Sequence, residues 1–310
     1  MRILLAGEES AGMQVLRSLV RGPHELVAVL TTPAAESRGD VSLARVAAKA
    51  GVPTLAGRLV ERSAFAGQVT ALGVDLLLNV HSLHLVHADV VAAPRLGSFN
   101  LHPGLLPEYA GLNSASWAIY QGAAAAGVTL HWMDPGIDTG DIAYRTALPI
   151  ADDDTALTLN ARCVREGLRQ IEQLLAVAAT DAAAIPRLAQ DRSRRRYYGR
   201  QVPEDGCLQW TWPAARVLRF VRACDYAPFR SPWGHPRTRL GARELGIAKA
   251  ERTGEACASA PGTIGAERDG GVLVAAADEW LKVDLVEVDA TLCKATDALS
   301  PHRRQTLSPA

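Results

Sequence analysis

Met1-Arg2-Ile3-Leu4-Leu5-Ala6-Gly7-Glu8-Glu9 opens the chain, and from Ile3 its apolar run is unbroken until it stops at two acids. A short run with no polar face predicts a strand over residues 2–6, buried on both sides. Residues 12–21 then carry Val15, Leu16, Leu19 and Val20 at helical spacing, and residues 26–30 are again uniformly apolar. Strand, helix and strand in succession make a parallel βαβ unit, which needs helices over both faces of its sheet. The alternation continues with helices at 43–50 and 64–72, stopped by Gly51 and Gly73, and a strong strand at 74–80.

Working outward, residues 97–101 read as a short strand running into a loop. Residues 113–121 read as a helix with Asn113 at its cap. Strands at 128–133 and 142–150 flank a Gly-rich loop, and a long helix covers 156–178, capped by Asp153 or Asp154. Composition then turns Arg-rich over 191–200 and turn-like over 201–206. We therefore expect a Rossmann-like, mostly parallel α/β domain at 1–190, a linker at 191–203, and a smaller β-rich domain of open-barrel (OB-like) type at 204–310. That second domain should hold a helix at 214–224 and short strands at 262–264, 271–275 and 280–288.

Composition narrows the function. The 310 residues carry 33 basic and 33 acidic side chains, so no whole-surface grip on nucleic acid or anionic lipid is expected. The opening apolar run is too short for a signal peptide, and no later run is long enough to span a bilayer. Cys163, Cys207, Cys224, Cys257 and Cys293 are scattered, odd in number and without a C-x-x-C. Reduced thiols in a cytoplasmic protein are the expectation.

Two phosphate motifs fail. Gly7 and Gly12 have the spacing of a phosphate loop, but Met13-Gln14 stand where Lys and Ser or Thr are needed, and G-x-G-x-x-G is absent. His81, His84 and His87 recur every third residue after the 74–80 strand. Three imidazoles can hold zinc, but a loop does not align them, and loop histidines without metal are the expectation.

The segment from 98 to 141 carries chemistry. It contains Asn100-Leu101-His102-Pro103-Gly104-Leu105-Leu106-Pro107 and then Asp134-Pro135-Gly136-Ile137-Asp138-Thr139-Gly140-Asp141. Alternate residues of a strand share a face, so Asn100 and His102 point the same way. A loop pinned by Pro135, Gly136 and Gly140 can bring a carboxylate to them. An amide that donates to an oxyanion, an imidazole that moves a proton and a carboxylate that orients it are what acyl transfer to an amine requires. Spacing alone equally permits a capped turn beside a surface loop.

These motifs, with Gly-Val-Thr-Leu-His at 127–131, resemble the folate-dependent formyltransferase family, which includes enzymes acting on methionyl-tRNA, glycinamide ribonucleotide and amino sugars. The likeness extends into Pro261-Gly262-Thr263-Ile264 and Gly271-Val272-Leu273-Val274. It implies transfer of a formyl group from 10-formyltetrahydrofolate, with Asn100, His102 and Asp138 catalytic. It implies a pterin pocket made by His84, Leu85 and Val86 and by Asp134, Pro135, Gly136, Ile137 and Asp138. It also implies a cis peptide at Leu106–Pro107.

The tRNA enzymes continue after Leu-Leu-Pro with a basic Arg-Gly-Ala-Ala-Pro segment, as the resemblance has it. Here Glu108-Tyr109-Ala110-Gly111-Leu112-Asn113 follows. Missing positive charge disfavours tRNA, so the expected acceptor is a small-molecule amine: an amino sugar, an amino acid or a carrier-bound aminoacyl group. Glu108, Asn113, Arg222 and Tyr226 are the acceptor-side candidates. The Arg192–Arg200 run keeps initiator tRNA as the alternative, against a solvated linker. A folate-binding protein without turnover and a formate-releasing hydrolase are two further readings.

Overall fold

The computed structural model describes residues 1–36 and 41–310. In chain order the elements begin β1 (Arg2–Gly7), α1 (Glu9–Arg21), β2 (Glu25–Thr31), α2 (Leu43–Lys49), β3 (Thr54–Ala56), α3 (Phe65–Ala71), β4 (Leu76–Val80) and α4 (Ala88–Ala92). They continue with β5 (Gly97–His102), β6 (Ala110–Gly111), α5 (Ser114–Gln121), β7 (Ala125–Trp132), β8 (Ile142–Pro149), α6 (Ala156–Thr180), β9 (Tyr197–Tyr198) and α7 (Ala214–Ala223). The chain ends with β10 (Arg237–Leu240), β11 (Arg243–Ala256), β12 (Ile264–Arg268), β13 (Gly271–Ala275), β14 (Glu279–Val288), β15 (Thr291–Lys294), α8 (Ala295–Leu299) and β16 (Ser308–Pro309). Two compact units result. The first comprises Met1–Gly111, Gly127–Leu148 and Arg162–Tyr197, and the second comprises Leu112–Ala126, Pro149–Ala161 and Tyr198–Ala310.

The first unit is built on a seven-stranded sheet of order β3-β2-β1-β4-β5-β7-β8. Pairings from β3 through β5 are parallel, and β7 runs antiparallel to β5. Ile3, Leu4, Leu5 and Ala6 have no exposed surface, as a central strand covered on both faces requires. Ile3 and Leu5 pack with Val15, Leu16 and Leu19 of α1 on one side, while Leu4 and Ala6 join Phe65 and Val69 of α3 on the other. Each of the Val, Leu, Ile and Phe side chains contributes roughly 1.5–3 kcal/mol of burial. Val20 does not join the α1 stripe; it faces solvent. The chain lays β2 and β3 on one side of β1, then β4 and β5 on the other. This reversal opens the crevice at the carboxyl ends of the strands where α/β sheets bind ligands.

Of two expected caps, one stands in place without a side-chain bond and one is replaced. Asn113 stands at the N-terminus of α5 but in left-handed conformation (φ 56°), and its side chain makes no capping bond. At α6 the cap is Thr155, not Asp153 or Asp154. Thr155 Oγ1 accepts from the Thr158 N–H (3.2 Å) and Thr158 Oγ1 from the Thr155 N–H (2.9 Å), a reciprocal pair. Asp154 instead accepts from the Ala151 N–H at 2.8 Å, closing the preceding turn.

The second unit carries an antiparallel sheet of order β12-β13-β14-β11-β10-β16, with β15 on β14. The expected strand at 262–264 starts only at Ile264 and runs on to Arg268. The longest strand of the chain, β11, has no counterpart in the sequence reading, because only Leu245, Ile247 and Ala248 of its 14 residues are buried and register shifts bend it. Helix α7 buries Val217, Phe220 and Val221 within this unit.

Candidate functional site

Strand register alone assembles the centre of the site. Asn79 on β4 is opposite Asn100 on β5, and Asn100 is opposite His131 on β7. Their side chains join in that order. Asn79 Nδ2 donates to Asn100 Oδ1 at 2.9 Å, and Asn100 Nδ2 reaches His131 Nε2 at 3.0 Å. His131 Nδ1 lies 2.7 Å from the Trp132 carbonyl, so this nitrogen carries the proton and Nε2 accepts from Asn100. The other Asn100 N–H donates to Asp138 Oδ1 at 3.2 Å. Asn79 and His131 were not singled out in the sequence; both become visible once strand register is known.

Asp138 comes from the loop between β7 and β8, and its own backbone is left-handed (φ 53°). Glycine makes that loop possible. A Cβ on Gly140 would lie 2.0 Å from the Trp132 carbonyl oxygen, and one on Gly136 would lie 2.0 Å from Thr139 Oγ1. Asp134 caps the turn, accepting from the Gly136 N–H (3.0 Å) and Thr139 Oγ1 (2.6 Å). The Asp138 carboxylate is buried and accepts from the Gly111 N–H at 2.8 Å through Oδ2. Burial alone would raise its pKa. The adjacent His102 and the bond donated by the Gly111 N–H outweigh that and hold it well below the usual carboxylate range.

His102 is buried at the end of β5, two residues from Asn100 and on the same face. Its Nε2 donates to the Tyr109 carbonyl at 2.6 Å, which turns Nδ1 toward Asp138 Oδ2 at 3.6 Å. Burial pushes its pKa below the ordinary histidine value, although Asp138 pulls it upward. The ring is therefore neutral at neutral pH, with its accepting nitrogen beside a carboxylate that favours the cation once a proton arrives. The Leu106–Pro107 peptide that follows is cis.

Asn79, Asn100, His131 and Asp138 line a cleft of about 120 Å³. Its walls are His84, Leu85 and Val86 on one side and Asp134, Pro135, Gly136 and Ile137 with Met133 on the other. Leu85 and Ile137 leave 68% and 40% of their surface exposed, an apolar lining suited to a flat ring.

The sequence matches the formyl transferase family model over residues 1–175 and the formyl transferase C-terminal domain model over 201–302. The chain belongs to the formyl transferase family. Solved structures share its fold. The N-formyltransferase from Helicobacter canadensis, crystallised with folinic acid and dTDP-3-aminofucose, superposes with a TM-score of 0.70 at 18% identity, over 91% of this chain and 97% of that one. WlaRD, a sugar 3N-formyl transferase studied with dTDP and 5-N-formyl-THF, gives 0.68 at 17% identity, over 91% and 96%. HypX from Aquifex aeolicus in complex with tetrahydrofolic acid gives 0.64 at 18%, over 96% of this chain but 47% of that one.

The other sequence candidates of this formyl transferase are placed as follows. Glu108 forms an ion pair with Arg194, so its charge is already matched within the first unit. Asn113, Arg222 and Tyr226 belong to the second unit. There Arg222 Nη1 donates to the carbonyls of Ala151 and Asp152, and the Tyr226 hydroxyl meets Ser116 Oγ at 2.9 Å. The Arg run is largely solvent-exposed, and three of its members face loops of the site. Arg192 lies 4.0 Å from Asp134, Arg194 pairs with Glu108, and Arg195 donates to the Ile137 carbonyl at 2.9 Å. His81, His84 and His87 do not converge on one another. Each faces a different carboxylate, Glu9 at 3.8 Å, Glu61 at 2.9 Å and Asp89 at 3.5 Å. Among the described residues no group of three or more His, Cys, Asp or Glu is placed to hold a metal, and no helix is long and apolar enough to cross a membrane.

Proposed function

We propose that this chain transfers the formyl group of 10-formyltetrahydrofolate to the amine of a small molecule. The observation that carries the reading is the convergence of Asn100 and His102 on one buried, ionised carboxylate, Asp138, at the base of an apolar-walled cleft. The cleft suits a pterin: exposed Leu85 and Ile137 offer faces for the ring. The donor supplies an activated formyl carbon, and the protein supplies geometry and charge.

In this reading His102 receives the proton that the amine loses on attack, at the nitrogen facing Asp138, and Asp138 stabilises the resulting imidazolium. His102 then returns that proton to the folate nitrogen as its bond to the formyl carbon breaks, so that tetrahydrofolate leaves and the amine keeps the formyl group. Asn100 donates to the oxygen that gains negative charge on the formyl carbon. Both of its N–H groups are engaged, with His131 at 3.0 Å and Asp138 at 3.2 Å. The longer bond is the one exchanged for the developing oxyanion.

Two observations favour a small acceptor over tRNA. Arg192, Arg194 and Arg195 are spent on the protein's own loops, and the segment after the cis proline carries Glu108. The neighbours crystallised with sugar-related ligands or named for sugar transfer make amino sugars the first acceptors to try, followed by amino acids and carrier-bound aminoacyl groups. The test incubates the protein with 10-formyltetrahydrofolate and each amine, following tetrahydrofolate release and the mass gain of one formyl group. Formate released without any amine would identify a hydrolase. Initiator Met-tRNA outperforming every small amine would overturn the acceptor assignment.

A further inference from the structure

The segment following residue 187 touches both loops that hold the site, and its contacts reach their backbones. Leu188 exchanges two hydrogen bonds with Ile142, N–H to carbonyl in each direction, at 3.0 and 2.8 Å. Gln190 then turns its amide onto the Asp138 loop, donating from Nε2 to the carbonyls of Asp138 (3.0 Å) and Gly140 (2.6 Å). Arg195 donates to the carbonyl of Ile137. The Arg196 N–H donates to the Pro107 carbonyl (3.2 Å), and its carbonyl accepts from the Ala110 N–H (3.0 Å), on either side of the Tyr109 whose carbonyl holds His102. One continuous strap thus registers the loop that carries Asp138 against the loop that orients His102.

We propose that Gln190, assisted by Arg195, is a positioning residue for the formyl transfer described above, on which this inference rests. Asp138 has a left-handed backbone (φ 53°), a region that aspartate tolerates better than most residues but that still favours glycine, so contacts that hold it there fix the carboxylate. The carbonyls of Ile137, Asp138 and Gly140 bracket that residue, and Gln190 and Arg195 bind all three. With them fixed, the carboxylate is aimed at Asn100, at the Gly111 N–H and at His102. Among the described residues Gln190 Oε1 is buried with no partner, and turning the amide over would set that oxygen against two carbonyls. The site therefore demands a donor at this position, and glutamate, of the same shape, presents oxygens where the donor must be.

The experiment uses the full chain, 10-formyltetrahydrofolate and the best acceptor from the amine screen. Gln190→Glu should remain folded in a thermal melt and keep its KM for both substrates, while kcat falls about 10- to 100-fold, the scale of a small misplacement of a reacting group. The ratio of its kcat to that of the wild type should rise as pH is lowered, because a protonated glutamate regains one donor. In an Asp138→Asn background the same change should cost nothing further, since Gln190 acts through Asp138. Arg195→Ala should show the same loss in kcat, and Arg195→Lys should restore it. This pair carries the test should Gln190→Glu not fold. Wild-type kcat in Gln190→Glu, or losses that multiply with Asp138→Asn, would overturn the positioning role. An unimpaired Asp138→Asn would instead remove the reading of the site on which it rests.

Discussion

Asn79 Nδ2 donates to Asn100 Oδ1 at 2.9 Å, and this one bond decides which end of the Asn100 amide faces Asp138. With its oxygen held by Asn79, the amide presents nitrogen to His131 and to Asp138. If the two ends were exchanged, an oxygen would face a carboxylate. Asn79→Ala should therefore weaken transfer by about 1 kcal/mol, the worth of one neutral hydrogen bond, which is several-fold in kcat. Asn79→Asp should cost more, because a carboxylate then faces Asn100 Oδ1. Equal kcat in both variants would show that Asn79 does not set the amide.

Asn100→Ala should fold, bind the folate and lose about 100- to 1,000-fold in kcat, the usual cost of deleting one oxyanion donor. Folate binding, read by fluorescence or calorimetry, separates the two effects. Turnover near the wild-type value would remove Asn100 from the mechanism.

His102 predicts the acid limb of the pH profile. Burial places its pKa below the ordinary value of 6.5 despite the opposing pull of Asp138. Asp138 stays ionised throughout, so kcat should rise with pH through a single ionisation below pH 6.5 and then level off. Asp138→Asn removes the charge that raises the His102 pKa, so the residual activity should titrate at still lower pH. Stability follows the same sign. The folded state binds fewer protons at His102 than the unfolded chain, so its contribution is present above pH 6.5 and is lost as pH falls through the folded pKa. An acid limb moving upward in Asp138→Asn would contradict the coupling.

Much of this was readable before any coordinates. Ile3 to Ala6 announce a buried parallel strand because nothing polar interrupts them, and Asn100 with His102 share a face because a strand alternates. Asp138 became a candidate through its motif. Asn79 and His131 stayed hidden because their place beside Asn100 depends on pairings between strands far apart in sequence. Gln190 was hidden for another reason: it recognises backbone carbonyls, which leave no mark on the residues it binds. The Arg run is largely exposed, as its charge suggests, but its ion pairs stayed hidden because charge patterning does not report contacts with distant loops. Strand β11 was missed because its buried positions are few and interleaved with charge.

Prolonged treatment with a strong chelator should leave activity unchanged, because His81, His84 and His87 face three separate carboxylates and do not converge. Loss of activity followed by recovery with zinc would contradict this.

Gly140→Ala joins the fold to the chemistry. The added Cβ would lie 2.0 Å from the Trp132 carbonyl oxygen and 2.9 Å from the carbonyl carbon, backbone atoms that no rotamer change can move aside. Trp132 is a poor place to yield. Its ring packs on Phe99 with centroids 4.2 Å apart, its Nε1 donates to the Pro186 carbonyl at 2.8 Å, and the Arg187 guanidinium lies over it. The loop must shift instead, and the Gly140 carbonyl moves off Gln190 while Asp138, two residues earlier, moves with it. Overpacking of this kind costs about 1–3 kcal/mol of stability. A loss confined to stability would mean that the loop relaxes without disturbing Asp138. The expected result is a lowered Tm together with a kcat that falls even at temperatures where the variant is fully folded, while the KM for the amine is unchanged.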